Sequence, residues 1–149
     1  MKILILIPFF ISSYSNASVP VAKLKYSVEF VLQKVLELKR KEYNPLIPVP
    51  SIHFESQTPL EIFQQAIEGQ WGMRPQRFSN AYSVSHNMLF LNDEASYYIR
   101  TKRCMDDSLA HELTHFVQAR YQGFDLHDES LEWDAIEVQN AFRESYCSE

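Results

Sequence analysis

The stretch that decides the fold is CMDDSLAHELTHFVQARYQG, from Cys104 to Gly123, which contains two histidines four residues apart. An α-helix turns about 100° per residue, so residues four apart lie about 40° apart on one face. His111 and His115 can therefore reach one metal ion with their ring nitrogens. Glu112 lies on the same side but is displaced, which suits a general base acting on a metal-bound water rather than a third ligand.

The rest of this segment has the pattern of an amphipathic helix. The histidine side carries small or polar residues, namely Ser108, Gln118 and Ala119. Leu109, Leu113 and Phe116 lie on the opposite side, where they can anchor the helix in a hydrophobic core. The HExxH pattern also arises by chance, and a pair of helix histidines can be purely structural. A third ligand at a workable position is therefore needed to favour a metal site.

The segment HDESLEWDAIEVQNAF, residues 127–142, offers candidates for that third ligand. In a helix from Asp128 onward, one apolar stripe consists of Leu131, Ala135, Val138 and Phe142. Glu132 falls on one flank of this stripe and Asp134 on the other, whereas Glu137 points nearly away from it. Both flanking carboxylates are candidates, and we favour Glu132, although a solvated acidic helix start would explain them equally well without the upstream motif.

His127 is a rival third ligand, which would complete a three-histidine site. Its spacing does not fit the motif HExxHxxGxxH. Gln118 occupies the glycine position of that motif, and Tyr121 stands where its last histidine is expected. The spacing therefore favours the carboxylate over His127.

Composition excludes several classes of function. The chain has 149 residues, 46% of them hydrophobic, which allows one domain with a modest core. Its formal net charge is −5 and no basic run extends beyond Lys39–Lys41, so we expect no nucleic-acid partner. With three glycines in all, the sequence has no glycine-rich phosphate loop.

The first residues, MKILILIPFFISSYSNASVP, have the pattern of a secretory signal peptide. Lys2 gives a positive start, Ile3–Ile11 is an apolar run, and small residues precede a cleavage site after Ala17. The run is too short to span a bilayer, which disfavours a membrane anchor. We expect segment 1–17 to be removed and residues 18–149 to be secreted or periplasmic, without membrane contact after cleavage.

The two cysteines, Cys104 and Cys147, can pair in such an oxidising compartment. A disulfide between them would close a loop of about forty residues, worth about 3–4 kcal/mol in the chain-entropy model. Two free thiols are the alternative. Metal ligation by this pair is disfavoured, because the sequence has no CxxC spacing.

The remaining helices and strands are predicted from hydrophobic periodicity and from the positions of proline and capping residues. We expect a first helix that ends before Pro45, a strand at 52–56, and a helix with Thr58 as N-cap and Pro59 at its first position. Residues 81–91 read as one extended strand or two halves of one, and residues 94–104 as loop or a short turn of helix. Helices at about 107–122, capped by Asp106 or Asp107, and at 128–146 complete one α+β domain.

HELTH followed by LEWDAIEVQ resembles the gluzincins, the zincin metallopeptidases whose third zinc ligand is a glutamate on a following helix. Glu132 to Ala135 matches the E-x-x-A pattern of the third-ligand helix in several small gluzincins. The same motifs resemble a group of small, mostly uncharacterised bacterial proteins. The resemblance covers about Ala81 to Phe142 and implies a minimal zincin-like α+β domain, with a small sheet, an HExxH helix and a C-terminal third-ligand helix.

The resemblance also implies roles for single residues. His111, His115 and Glu132 would bind Zn²⁺, and Glu112 would be the general base. Asn87–Asn92 would form the edge strand above the cleft, which pairs with an extended substrate. The implied function is an exported zinc-dependent peptidase that hydrolyses peptide or protein substrates through a zinc-bound water.

The resemblance assigns no residue that stabilises the oxyanion. Tyr121, His127 and Arg143 are the candidates from the sequence. His53 and His86 are expected to be surface or strand histidines rather than catalytic groups.

Two other classes of function remain open. One is an exported metal-binding or interaction protein that keeps the scaffold but cleaves nothing, and the other is a helical domain without metal. Glu112 favours the enzyme, because a protein that only binds metal has no need of a base beside it.

Overall fold

The computed structural model describes residues 19–147, so the predicted signal segment 1–17 lies outside the described residues. The described residues form a small α+β fold with five α-helices and one three-stranded sheet. In chain order the elements are α1 (Val28–Leu38), β1 (Ser51–Phe54), α2 (Leu60–Trp71), β2 (Ala81–Ser83), β3 (Met88–Leu91), α3 (Ala95–Thr101), α4 (Met105–Arg120) and α5 (Ser130–Tyr146). The α+β class predicted from the sequence is thereby confirmed.

The sheet has the strand order β1-β3-β2, with β1 parallel and β2 antiparallel to β3. Residues 81–91 thus form a hairpin of two strands. Of the two alternatives predicted for this segment, the single continuous strand is wrong, and the segment is divided, with its two halves antiparallel. The expectation that Asn87–Asn92 supplies the edge strand is also wrong, because β3 is the central strand. Within the described sheet, β2 is an outer strand and pairs only with β3.

The side chains of β3 explain its central position. Successive strand residues point to opposite faces of a sheet. Leu89 and Leu91 are buried in the main core with α1 and α4, whereas Phe90 packs on the other face against Phe63 of α2, with ring centroids 5.2 Å apart. A strand that is apolar on both faces must be covered on both, so MLFL fits the middle of the sheet.

Helix α4 is the central element of the main core. It packs against α5, α1 and the sheet. Leu109, Leu113 and Phe116 are fully buried there, so the predicted apolar side of this helix is confirmed. They share the core with α1 residues such as Val31 and with Phe142 of α5. Burial of a large apolar side chain stabilises a fold by about 1.5–3 kcal/mol, so this side fixes the rotation of α4.

The start of α4 differs from the prediction. Its N-cap is Cys104, whose sulfur accepts the N–H of Asp107 while the Asp107 carboxylate accepts the N–H of Cys104. Asp107 therefore takes the third helical position of a capping box rather than the cap. Asp106 is committed elsewhere, since its carboxylate accepts the backbone N–H groups of Lys25 and Tyr26.

Two other segments also differ from expectation. Helix α2 begins at Leu60, one residue later than predicted, and Thr58 is not its cap. The Thr58 N–H instead closes a short 3-10 turn on the Glu55 carbonyl. Residues 94–104, expected as loop or a short turn, contain the seven-residue helix α3.

A disulfide joins Cys104 to Cys147, with their Cα atoms 5.9 Å apart, which confirms the predicted pairing. The bond links the start of α4 to the end of α5. Because the chain itself connects the other ends of these helices, α5 returns alongside α4. Among residues 19–147, no helix is long and apolar enough to cross a membrane.

Candidate metal centre

The two histidines of HELTH and one glutamate of α5 lie close together. The Nε2 atoms of His111 and His115 are 3.2 Å apart. Glu132 places Oε1 3.0 Å from Nε2 of His111 and Oε2 3.2 Å from Nε2 of His115. One ligand atom from each residue lies within 4.8 Å of the others. The structure thus brings together the three residues predicted as ligands.

The packing of α5 on α4 explains this convergence. Ala135, Val138 and Phe142 are buried, as the apolar stripe of α5 predicts. Ala135 is fully buried and small, so the two helix backbones can approach each other beside the histidines. Glu132 lies one turn before Ala135, on the flank of the stripe, and its side chain remains 53% exposed.

The rival third ligands are engaged in other contacts. Nδ1 of His127 lies 2.7 Å from Oδ1 of Asp125, and its Nε2 lies 3.1 Å from the Gln70 carbonyl oxygen. Asp134 forms an ion pair with Lys39. Of the candidates named from the sequence, Glu132 is the one that faces both histidine rings.

Glu112 lies beside this group and is 5% exposed. Burial raises the pKa of its carboxyl group above the ordinary value, although the neighbouring rings of His111 and His115 oppose the rise. A carboxylate with a raised pKa holds a proton more firmly once it has taken one. That property suits a group that accepts and then returns a proton.

A cavity of about 200 Å³ opens onto these four residues. Its walls come from α2, α4, α5, the outer strand β2 and the loop before α5. The lining residues are Gln70, Trp71, Asn80, Ala81, Tyr82, His111, Glu112, His115, Leu126 and Glu132. The cavity therefore combines the candidate ligands, the candidate base and the edge of a sheet in one space.

The His115 ring and the Glu132 carboxylate shift the pKa values of one another. Hydrogen bonds from His111 and His115 hold the pKa of Glu132 well below its usual value. Burial lowers the pKa of His115, but its hydrogen bond with Glu132 and the charge of Glu112 outweigh burial and raise it. Without a bound cation, the Glu132 carboxylate therefore stays ionised and favours a proton on the neighbouring ring.

Two buried glutamines contact the outer ring nitrogens of the histidines. Oε1 of Gln139 lies 3.2 Å from Nδ1 of His111, and Oε1 of Gln118 lies 2.8 Å from Nδ1 of His115. The sequence placed Gln118 on the histidine side but gave it no role, and it did not single out Gln139. The available signal was spacing, since Gln139 follows Glu132 by seven residues, or about two helical turns, on the same face.

The candidates for oxyanion stabilisation lie outside the cavity. The Tyr121 hydroxyl accepts the N–H of Asn44, and Arg143 donates to Asn140. His53 and His86 contact neighbouring serine hydroxyls and do not line the cavity. Within the described residues, the polar side chains that do line it beyond the candidate ligands and base are Gln70, Asn80 and Tyr82.

Comparison with models of known protein families, with curated proteins and with solved structures gives no match for this chain. The function proposed below therefore depends on the residues and geometry of the site.

Proposed function

We propose that this protein is an exported, zinc-dependent peptidase. The observation that carries the proposal is the convergence of His111, His115 and Glu132 beside the buried Glu112 in one cavity. A chance HExxH would not need a carboxylate from another helix within hydrogen-bond distance of both rings. The gluzincin resemblance in the sequence supports the same ligand set.

The donor chemistry fits zinc. Two imidazole nitrogens and one carboxylate are a common catalytic zinc set, and three protein ligands leave a coordination position open. His111, His115 and Glu132 would hold the ion. Bound in this way, zinc supplies Lewis acidity, which polarises a carbonyl group and acidifies water. The cavity beside the three ligands gives a substrate access to the open side.

Glu112 would move the proton during hydrolysis. A carboxylate oxygen of Glu112 would accept a proton from the attacking water and then donate it to the nitrogen of the leaving amine. Its burial supports this role, because the raised pKa brings the carboxyl group closer to the pH at which proton transfer in both directions is efficient.

The outer strand β2 supports a peptide as the substrate. Gln70 already places a side-chain amide against this strand, since its Nε2 donates to the Tyr82 carbonyl at 2.9 Å and its Oε1 accepts the Val84 N–H at 3.0 Å. The outer edge of β2 thus binds an amide group at Tyr82 and Val84. An extended substrate would pair with the part of this edge nearer Asn80 or replace the Gln70 side chain. Asn80, Ala81 and Tyr82 line the cavity next to it, where an extended main chain could add to the sheet.

The disulfide supports the exported location. Structural disulfides persist in oxidising compartments and are rare in reducing ones. The bond between Cys104 and Cys147 therefore agrees with the signal segment predicted from the sequence, and a secreted or periplasmic protein is part of the proposal. The acidic net charge of −5 agrees with a peptide rather than a nucleic acid as the substrate.

Metal analysis of the purified mature protein tests the site. We expect one zinc ion per chain in the wild type and loss of zinc in His111→Ala, because that variant removes a ligand. His86→Ala is the matched control, since His86 is exposed and does not line the cavity. Equal zinc in the wild type and His111→Ala would reject the proposed centre.

A broad peptide-library digest tests the reaction. We expect cleavage by the wild type and a loss of about 10²–10⁴-fold in Glu112→Gln, because the amide cannot accept the proton. Zinc content should be the same in both proteins. Bound zinc with no cleavage by either protein would instead identify the non-catalytic metal-binding protein, the alternative from the sequence.

A further inference from the structure

The two glutamines behind the histidines have defined amide orientations. Nε2 of Gln139 lies 2.8 Å from Oδ1 of Asp107, and Nε2 of Gln118 lies 2.9 Å from the Leu131 carbonyl oxygen. A carbonyl oxygen accepts hydrogen bonds and never donates them, and an ionised carboxylate behaves in the same way. Each glutamine must therefore turn its NH₂ group away from the histidine and its oxygen toward the ring.

The surrounding charges hold this arrangement in place. Asp107 is fully buried, and its Oδ1 atom accepts from Arg103 at 2.7 Å as well as from Gln139, so this oxygen acts as an acceptor. Gln118 is fully buried and also donates to Oδ2 of Asp134 at 2.7 Å. Neither amide can flip without leaving a buried NH₂ group facing the ring and two acceptors facing each other, which is costly.

The ring tautomers follow from the amides. An amide oxygen facing Nδ1 accepts a hydrogen bond from that nitrogen, and a ring that binds a metal ion through Nε2 must carry its hydrogen on Nδ1. The Nε2 lone pairs of His111 and His115 then face each other across 3.2 Å, next to the Glu132 carboxylate. Three acceptors turned toward one point are favourable only when a cation or extra protons occupy that point.

We propose that Gln118 and Gln139 are positioning residues, which hold His115 and His111 as Nδ1–H tautomers and so direct both Nε2 atoms toward the metal ion. This inference rests on the proposed zinc centre and adds the residues that preform it. Metal-ligating histidines commonly donate their second ring N–H to an acceptor, and here the acceptor is an amide whose orientation is fixed by Asp107 in one case and by Leu131 and Asp134 in the other.

Zinc affinity of matched variants tests the proposal. Gln118→Met and Gln139→Met keep the length of the side chain but remove the acceptor. We expect each to raise the Kd for zinc by about 10–100-fold, measured by competition with a chromophoric chelator. Gln64→Met is the control, since Gln64 on α2 is also partly buried but donates to the Pro75 carbonyl beyond the end of that helix, and the Kd of this variant should equal that of the wild type.

Ring ¹⁵N spectra give a readout that a merely structural role would not change. In the zinc-loaded wild type we expect both rings to carry the hydrogen on Nδ1 and to bind the ion through Nε2, whereas without the ion the Glu132 carboxylate competes for a hydrogen on Nε2. Gln118→Met should speed solvent exchange of the Nδ1 hydrogen of His115 alone, and Gln139→Met that of His111 alone. Because the wild-type spectrum needs no variant, the test holds even if a variant fails to fold.

The outcomes separate this inference from the proposed function. Rings that carry the hydrogen on Nε2 in the zinc-loaded wild type would overturn the positioning role. The same holds if both methionine variants bind zinc as tightly as the wild type, although the zinc centre itself would then stand. A wild type that binds no zinc would instead reject the proposed function, and the positioning role with it.

Discussion

Two groups of metal-type side chains lie along the contact between α4 and α5, and they have opposite character. In Cys104, Asp107 and Cys147, as in the triad of His111, His115 and Glu132, one ligand atom of each residue lies within 4.8 Å of the others. The first group has no ligand atom left for an ion. Its two sulfurs are bonded to each other, and Asp107 accepts from Arg103, Cys104 and Gln139.

The triad differs because its ligand atoms face one another and a cavity. Proximity of suitable residue types is therefore not sufficient for a metal site. What distinguishes the two groups is whether lone pairs remain free and whether there is space for an ion and a substrate. We accordingly expect the disulfide and Asp107 to contribute to the stability of the fold, and the triad to contribute to metal binding.

Removal of the disulfide should give the largest effect and should fall on stability alone. In the double variant Cys104→Ser, Cys147→Ser, the serine at the N-cap can still accept the Asp107 N–H, so mainly the covalent link is lost. We expect the free energy of unfolding, measured in urea, to drop by about 2–5 kcal/mol. Zinc per chain should not change. A loss of zinc in the same double variant would show that the metal site depends on the disulfide.

Replacement of the third ligand should have the converse effect. Loss of the hydrogen-bond partner of a ligating histidine raises the Kd for zinc by roughly 10–100-fold. Because an amide binds zinc poorly, we expect Glu132→Gln to raise the Kd by more than that. The stability of the zinc-free protein should change little, because the Glu132 side chain is 53% exposed. Glu137→Gln, an exposed position on the same helix, is the control. Equal zinc affinities of these two variants would contradict the comparison.

The smallest effect concerns the pH dependence of the zinc-free protein. The pKa of Glu132 is lowered in the fold, so its contribution is present above the usual value of 4.5 and is lost as the pH falls. The pKa of His115 is raised, so its contribution is present below 6.5 and is lost as the pH rises. We therefore expect the triad to stabilise the zinc-free fold most between these values, by less than about 1 kcal/mol.

Urea unfolding with a chelator at several pH values measures this contribution. Glu132→Gln should flatten the maximum, whereas the variant without the disulfide should keep it, because bonded cysteines do not titrate. A Glu132→Gln variant whose stability depends on pH in the same way as that of the wild type would show that the triad contributes nothing measurable.

The parts of the molecule that could be predicted depend on local periodicity. The rotation of α4 follows from Leu109, Leu113 and Phe116 at helical spacing, and all three are fully buried. The same rule placed Glu132 on the flank of α5 that faces the histidines. Helix α5 had to pack on α4 for this to hold, and the paired cysteines supplied that constraint from the sequence.

The parts that could not be predicted depend on contacts between distant segments. The position of β3 in the sheet is set by partners on both sides. The run MLFL, apolar on both faces, was a signal for a central strand that the edge-strand prediction did not use. The cap at Cys104 was missed because a half-cystine is an unusual N-cap. The role of Gln139 depends on its contacts with Asp107 and His111, which belong to another helix.

The disulfide has a topological consequence for the candidate centre. Residues 104–147 form a covalent ring, closed by the chain on one side and by the two sulfurs on the other. The three candidate ligands, the candidate base and both glutamines all belong to this ring. A single proteolytic cut in the loop at 121–129 would open the ring without separating α4 from α5 into two molecules. In the unfolded chain the ring likewise keeps the ligands within one short loop, so the search that rebuilds the centre is confined to that loop.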